Sequence, residues 1–295
     1  MSVRYRIEHE TRYDHDGLAS TSQHVACLTP RTLPHQQVAW HELLVDPAPA
    51  GMQARTDYFG NHLHQFAILT PYTTMTVTSR SEVTLEMPEP GLEPTRSPDW
   101  EQVRTDLLYH GSGPTAPAAE FSYPSPFTPV NADVEAFARQ QFTEGRPLLD
   151  AALDLMHQIH GEFTFDPTAT SVATPVSQVL AQRRGVCQDF AHLQIAALRA
   201  LGLPARYVSG YLLTDPPPGQ PRLIGADASH AWVSVWCPEH GWVDLDPTND
   251  VVPTTRHITL AWGRDYGDVS PLRGVVLGGR AHRLKVGVSV FPLSA

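Results

Sequence analysis

Along residues 1–88 apolar and polar positions alternate with a period of two, the pattern of strands that bury one face. Val3, Tyr5, Ile7, His9, Thr11 and Tyr13 fall on one side of the opening strand, and Arg4, Arg6, Glu8, Glu10 and Arg12 on the other. Residues 38–45 read as a second strand. Tyr58-Phe59-Gly60-Asn61-His62 reads as a hairpin turn into residues 66–69, and Met75, Val77, Ser79, Ser81, Val83, Leu85 and Met87 as another strand. Short strands separated by turn signals predict a β-sandwich-like domain over 1–88.

The pattern then changes. Between Pro88 and Pro129 prolines break any long element, so residues 89–145 read as a proline-rich connection that ends in a helix capped by Asn131. Trp100, Tyr109, Phe121, Tyr123 and Phe127 imply that this connection packs against something. From 146 the period becomes helical. A helix after Pro147 turns Leu149, Ala152, Leu153, Met156 and Ile159 inward and stops at Gly161. A second helix starts near Val186, with Phe190, Leu193, Ala197, Leu198 and Leu201 on one stripe and Gly202 and Pro204 as its stop. Strands follow at 208–213, 230–236 and 242–246, the last two joined by the turn Glu239-His240-Gly241. Within 251–295, Leu284, Val286, Val288 and Val290 make a closing strand, which either completes the 146–250 unit or returns to the first domain.

Candidate chemistry sits at the start of the second helix. Cys187 follows Gly185-Val186, where unpaired N–H groups and the positive end of the helix dipole favour a thiolate. His230 opens an alternating strand, and a strand holds an imidazole rigidly enough to serve a thiol as base. An acid that orients the imidazole has three candidates. Asp244 and Asp246 share one strand face, so alternation does not choose between them. Pro247 keeps Asp246 extended at the strand end, although Asp-Pro-Thr-Asn is also ordinary turn chemistry. Asp189 is better suited to stabilising the helix start, because an acid two residues from the thiol opposes thiolate formation.

In this order Gly185-Val186-Cys187-Gln188-Asp189, Arg206-Tyr207-Val208-Ser209-Gly210-Tyr211, His230-Ala231-Trp232-Val233 and Asp246-Pro247-Thr248 resemble the transglutaminase-like (transglutaminase/protease) superfamily. The resemblance runs from about Leu148 to Asn249. The opening residues 5–13 resemble the N-terminal β region of bacterial members, and Gly263-Arg264-Asp265-Tyr266-Gly267-Asp268-Val269 their C-terminal segment. It implies an α+β fold with a papain-like core, in which a cysteine at a helix N-terminus packs on an antiparallel sheet bearing histidine and aspartate. It further implies Cys187 as nucleophile, His230 as base and Asp246 as orienter, with no cofactor. Gln188, Asp189, Tyr211, Trp232, Arg264, Asp265 and Tyr266 become candidates for binding substrate or supporting the triad.

Composition narrows the setting. With 295 residues, net charge −10 and no basic cluster, nucleic acid is not an expected partner. Cys27, Cys187 and Cys237 are too far apart for a metal or disulfide framework, and no hydrophobic run reaches the roughly 20 residues of a membrane helix. His62 and His64 are the closest histidine pair, without a third ligand in a metal-site spacing, so no metal is expected. The opening residues alternate rather than form a signal-peptide core, so the expectation is a cytoplasmic protein acting on a protein or peptide amide such as glutamine. The rival reading is a non-catalytic peptide-binding or assembly module on the same fold. Asp215-Pro216-Pro217-Pro218-Gly219-Gln220-Pro221 reads as a stiff loop beside the site, either a lid or plain surface.

Overall fold

The structure, a computed structural model, describes residues 2–86, 93–108, 117–214 and 228–293. Its strands and helices are β1 (Ser2–Ala26), β2 (Gln36–Asp46), β3 (Gly51–Thr56), β4 (His62–Ile68), β5 (Tyr72–Glu86), α1 (Trp100–Asp106), α2 (Ala132–Ala138) and α3 (Leu148–Glu162). They continue with β6 (Thr164–Phe165), α4 (Val176–Gln182), β7 (Arg184–Gly185), α5 (Cys187–Ala200), β8 (Ala205–Leu212), β9 (Ala228–Cys237) and β10 (Gly241–Leu245). The chain closes with β11 (His257–Gly263), α6 (Tyr266–Val269), β12 (Leu272–Gly278) and β13 (His282–Leu293). The fold is α+β, and both large sheets are antiparallel throughout. The expected Asp215–Pro221 loop and Tyr109 lie outside the described residues.

The alternation of β1 is the organising feature of the first sheet. Tyr5, Ile7, His9 and Thr11 are buried, while Arg6 and Glu8 face out and pair across to Glu82 and Arg80 at 2.7 and 2.8 Å. The first half of β1 lies between β5 and β13. After a register shift between Asp14 and Ala19 its second half lies between β4 and β12. Ala19, Phe66, Ile68, Met75 and Val77 form one apolar cluster with Leu43 and Leu272 packed on it. The cluster draws on both β4 and β5, which are not neighbours in the sheet. Two strands that local pattern did not single out, β3 and β12, complete the sheet.

The second sheet has the order β10-β9-β8-β11. Against it lies α5, which packs on β8 and β9 and is flanked by α2, α3 and α4. This helix differs from the expected amphipathic stripe: Asp189 to Arg199 are all buried. Each of its buried polar residues reaches at least one partner, although Gln194 Oε1 has none among the described residues. Gln194 donates to the Ala152 carbonyl at 3.1 Å, and Arg199 donates to Phe121 O, Ser125, Thr128, Ala205 O and Arg264 O. Arg199 thereby ties the 117–128 connection to the helix. Trp100 and Phe121 of the connection are buried, whereas Tyr123 is exposed. One hydrophobic cluster joins Tyr5, Ile7, Val83 and Leu85 of the first sheet to the helices and to Val233 and Val235. The two sheets thus share a core. Among the described residues no helix is long and apolar enough to cross a membrane.

Candidate active site

Cys187 is the first residue of α5. The first intrahelical bond is donated by Phe190 N–H to Val186 O, so the helix leaves the Cys187 N–H unpaired. The start is held from two sides. β6 pairs in parallel with β7, placing Phe165 beside Gly185. Asp189 accepts from Val186 N–H at 2.8 Å and from the Thr170 hydroxyl at 2.6 Å, and burial raises its carboxyl above the ordinary range against those bonds. Gly185 is required by this packing, because a Cβ there would stand 2.8 Å from the Asp189 Cβ.

His230, on β9, meets both other members of the group. Its Nε2–H donates to Asp246 Oδ2 at 2.7 Å, which leaves Nδ1 for the Cys187 thiol, with which the ring is also hydrogen-bonded. Burial opposes charge on this ring. The hydrogen bonds and negative charge of Asp246 and Cys187 outweigh it and raise the imidazole well above its usual value. Asp246 is fully buried, and its desolvation is likewise outweighed by donors, so its carboxyl is held far below the carboxylate range. Oδ1 accepts from the backbone N–H groups of Thr248 and Asn249 at 3.0 and 3.3 Å. Oδ2 accepts from His230, from Asn249 Nδ2 at 2.7 Å and from His257 Nε2 at 3.0 Å. Turn chemistry and orientation of the imidazole are therefore both performed by Asp246, one oxygen for each. Asp244 has another partner: its Oδ2 accepts from Trp232 Nε1 at 3.0 Å.

The thiol and imidazole open into a cleft of about 260 Å³. It is lined by Cys187, Gln188 and His230, by His9, Thr11 and Tyr13 of β1, and by Leu284 and Val286 of β13. Tyr207 and Tyr266 also line it, and among the described residues no Asp, Glu, Lys or Arg does. Gln188 and Tyr266 are thus brought to the cleft. Asp189, Tyr211 and Trp232 stand behind it: Tyr211 is hydrogen-bonded to His9 Nδ1 at 2.9 Å, and Trp232 stacks beside His230. Arg264 and Asp265 do not line the cleft. Arg264 pairs with Asp268 at 2.9 Å, and Asp265 caps α6 through Gly267 N–H at 2.8 Å. The segment acts on the cleft through Tyr266, whose backbone N–H donates to buried His192 Nε2 at 3.1 Å.

The β1 wall and His257 were not identified from sequence. Polar His9 and Thr11 on the otherwise apolar buried face of β1 were the available signal for the first. His230, Asp246 and His257 have donor atoms within 4.8 Å of one another, a composition that a metal site also uses. Their spacing here is that of N–H···O hydrogen bonds, at 2.7 and 3.0 Å.

Residues 135–247 match the family model of the transglutaminase-like superfamily, and residues 5–84 match that of the bacterial transglutaminase-like N-terminal region. An uncharacterised protein of Mycobacterium tuberculosis is 42% identical over 297 residues, covering 98% of this chain and 93% of that protein. A protein-glutamine gamma-glutamyltransferase of Pseudomonas aeruginosa is 34% identical over 116 residues, which is 39% of this chain and 17% of that protein. The structure of a candidate cysteine protease from Cytophaga hutchinsonii superposes with a TM-score of 0.77 at 19% identity, over 100% of this chain and 92% of that one.

Proposed function

The chain belongs to the transglutaminase-like superfamily, and we propose that it cleaves an amide bond through an acyl-thioester on Cys187. The observation that carries this reading is the line Cys187–His230–Asp246, with the thiol at the unpaired N-terminus of α5 and open to the cleft. His230 takes the thiol proton and is held as imidazolium by Asp246. The sulfur attacks the substrate carbonyl carbon, and the carbonyl electron pair moves onto oxygen, where the Cys187 N–H receives it. The C–N bond then breaks as His230 protonates the departing nitrogen, leaving a thioester. An acceptor gives its proton to His230, attacks the same carbon and expels the thiolate.

Water is the preferred acceptor. Among the described residues no carboxylate lines the cleft to receive a cationic lysine, and nothing there bars water. Transfer to an amine is the second reading, favoured by the local similarity to the Pseudomonas aeruginosa gamma-glutamyltransferase. A glutamine-peptide library incubated with and without a primary amine, read by mass spectrometry, separates the two. Backbone cleavage or deamidation supports hydrolysis, and amine adducts support transfer. An unchanged library together with a Cys187 that no acyl donor labels removes both.

A further inference from the structure

His257 sits on β11, two strands away from His230 in the order β9-β8-β11. Strands that far apart are separated by roughly 9.5 Å, so their side chains do not ordinarily share a partner. They do so here because β8 carries Gly210 between them. A Cβ on Gly210 would stand 2.2 Å from Ile258 O and 2.4 Å from the Trp232 ring. Without it, the Trp232 ring reaches His257, with centroids 5.3 Å apart and planes at 80°. His257 in turn reaches Asp246 Oδ2 at 3.0 Å. Among the described residues His257 Nδ1 is buried with no partner, so the ring proton that meets Asp246 is on Nε2.

We propose that His257 is a positioning residue: it donates to the oxygen that holds His230, shares that oxygen's charge, and so sets how firmly His230 keeps its proton. The proposal rests on the triad reading above. Orientation alone does not require His257. Both Asp246 oxygens already have other donors, Thr248 N–H and Asn249 N–H on Oδ1 and Asn249 Nδ2 on Oδ2. Removing His257 therefore leaves the carboxylate in place with one fewer donor, and more of its charge falls on His230. The groups that face this centre are Cys187 from α5, His230 and Trp232 from β9, and Asp246 and Asn249 from the turn after β10. Asp244 is occupied by the Trp232 indole.

The test needs no substrate. The rate of Cys187 alkylation by iodoacetamide is followed from pH 4 to 9 on the full chain, with melting temperatures as the check on folding. His257→Phe fills the space without an N–H. The pH at which the reactive thiolate forms is expected to fall by about half a unit, a threefold change. His257→Gln keeps an N–H within reach of Oδ2 and is expected to follow the unmodified protein. If His257→Phe does not fold, His257→Met, similar in volume and unable to donate, takes its place. Asp246→Asn is the control and should move the same limb upward. A shift for Asp246→Asn with none for His257→Phe, or equal shifts for His257→Phe and His257→Gln, overturns the role of His257 and leaves the triad standing. A Cys187 that behaves as an ordinary thiol in every variant overturns the triad reading itself.

Discussion

Asp246→Asn is the sharpest test of the site, because all the polar partners around this side chain are donors. Oδ1 is anchored by two backbone N–H groups, and Oδ2 by His230, His257 and the Asn249 amide. In the variant the carbonyl oxygen keeps the backbone donors, since only an oxygen accepts them. The amide nitrogen must then face the three donors of the other side. His230 resolves the conflict by moving its proton to Nδ1 and accepting with Nε2. The ring then offers Cys187 an N–H where a lone pair is needed. The corresponding change in the Ser-His-Asp template lowers turnover by about 10⁴, equivalent to about 5 kcal/mol of transition-state stabilisation.

The cost to folding is smaller. The imidazole becomes neutral with its partner, so no isolated charge is left buried, and about 1–3 kcal/mol is expected for the imperfectly paired donors. Asp244→Asn supplies the contrast. Its amide oxygen still accepts the Trp232 indole N–H, so activity should stay within about threefold. The assay is kcat/KM on a responsive glutamine peptide, together with a thermal melt for each variant. A folded Asp246→Asn that keeps activity within tenfold of the unmodified protein, or an Asp244→Asn that loses more, refutes the assignment.

Cys187 should be alkylated by iodoacetamide at neutral pH well ahead of Cys27 and Cys237, since both of those are buried and burial pushes the Cys27 thiol up to about 12 and raises Cys237; peptide mapping that finds equal labelling in the native protein contradicts this. Burial also lowers His9 to about 4 and His192 to about 3, so the folded protein holds them neutral while the unfolded chain protonates them near 6.5. Their stability contribution is complete above that value and is lost as pH falls, by about 3 kcal/mol per unit for the pair between roughly pH 6 and 4.5, which urea melts at stepped pH will read as a falling midpoint. The raised His230 acts in the opposite sense, present below about 6.5 and lost as pH rises toward about 10. Arg199→Met should cost about 3–5 kcal/mol, because it orphans acceptors on the 117–128 connection and on β8; a loss below 1 kcal/mol in chemical denaturation means that Arg199 does not hold the connection. Tyr207→Phe removes a hydroxyl that has no protein partner among the described residues, from a ring that lines the cleft near Cys187, and kcat should drop tenfold or more with KM little changed if that hydroxyl assists the oxyanion.

What could be read from the chain was what is local in it. The start of α5 is written in six consecutive residues, Arg184 to Asp189, and the carboxylate that closes the capping interaction lies three residues from the backbone it meets. The strands around His230 and Asp246 form a two-stranded unit with a short turn, so alternation and turn chemistry located them. Asp246 was harder, since the same residues serve a turn and an imidazole, and local sequence offers no means of seeing that two oxygens divide the tasks. The burial of α5 on all sides was missed for a different reason. Helical periodicity registers the stripe of apolar residues and gives no sign that polar Gln194 and Arg199 are buried, because their acceptors lie on distant segments.

The parts of the site that escaped the sequence share one cause, the order in which strands pair. Lys285 pairs with Arg12 and Val286 with Thr11, so β13 lies against β1 and both line the cleft into which Cys187 opens. Nothing in residues 282–293 signals that register, because an alternating strand fits many neighbours. His257 is hidden in the same way, by a sheet order that sets β11 beside β8, and by one glycine that opens the space between strands. Gly210→Ala separates these two kinds of dependence. Its methyl group cannot fit 2.2 Å from a backbone oxygen, so β11 or the Trp232 ring must move, at about 1–3 kcal/mol of overpacking. Movement of the ring disturbs His257 and His230 while leaving the α5 N-terminus and the β1 wall untouched. Activity should therefore fall with kcat, and the pH at which Cys187 becomes reactive should shift, while affinity for a bound acyl donor is retained. A Gly210→Ala protein with unaltered kcat and an unaltered alkylation profile shows that the β9–β8–β11 contact is packing alone.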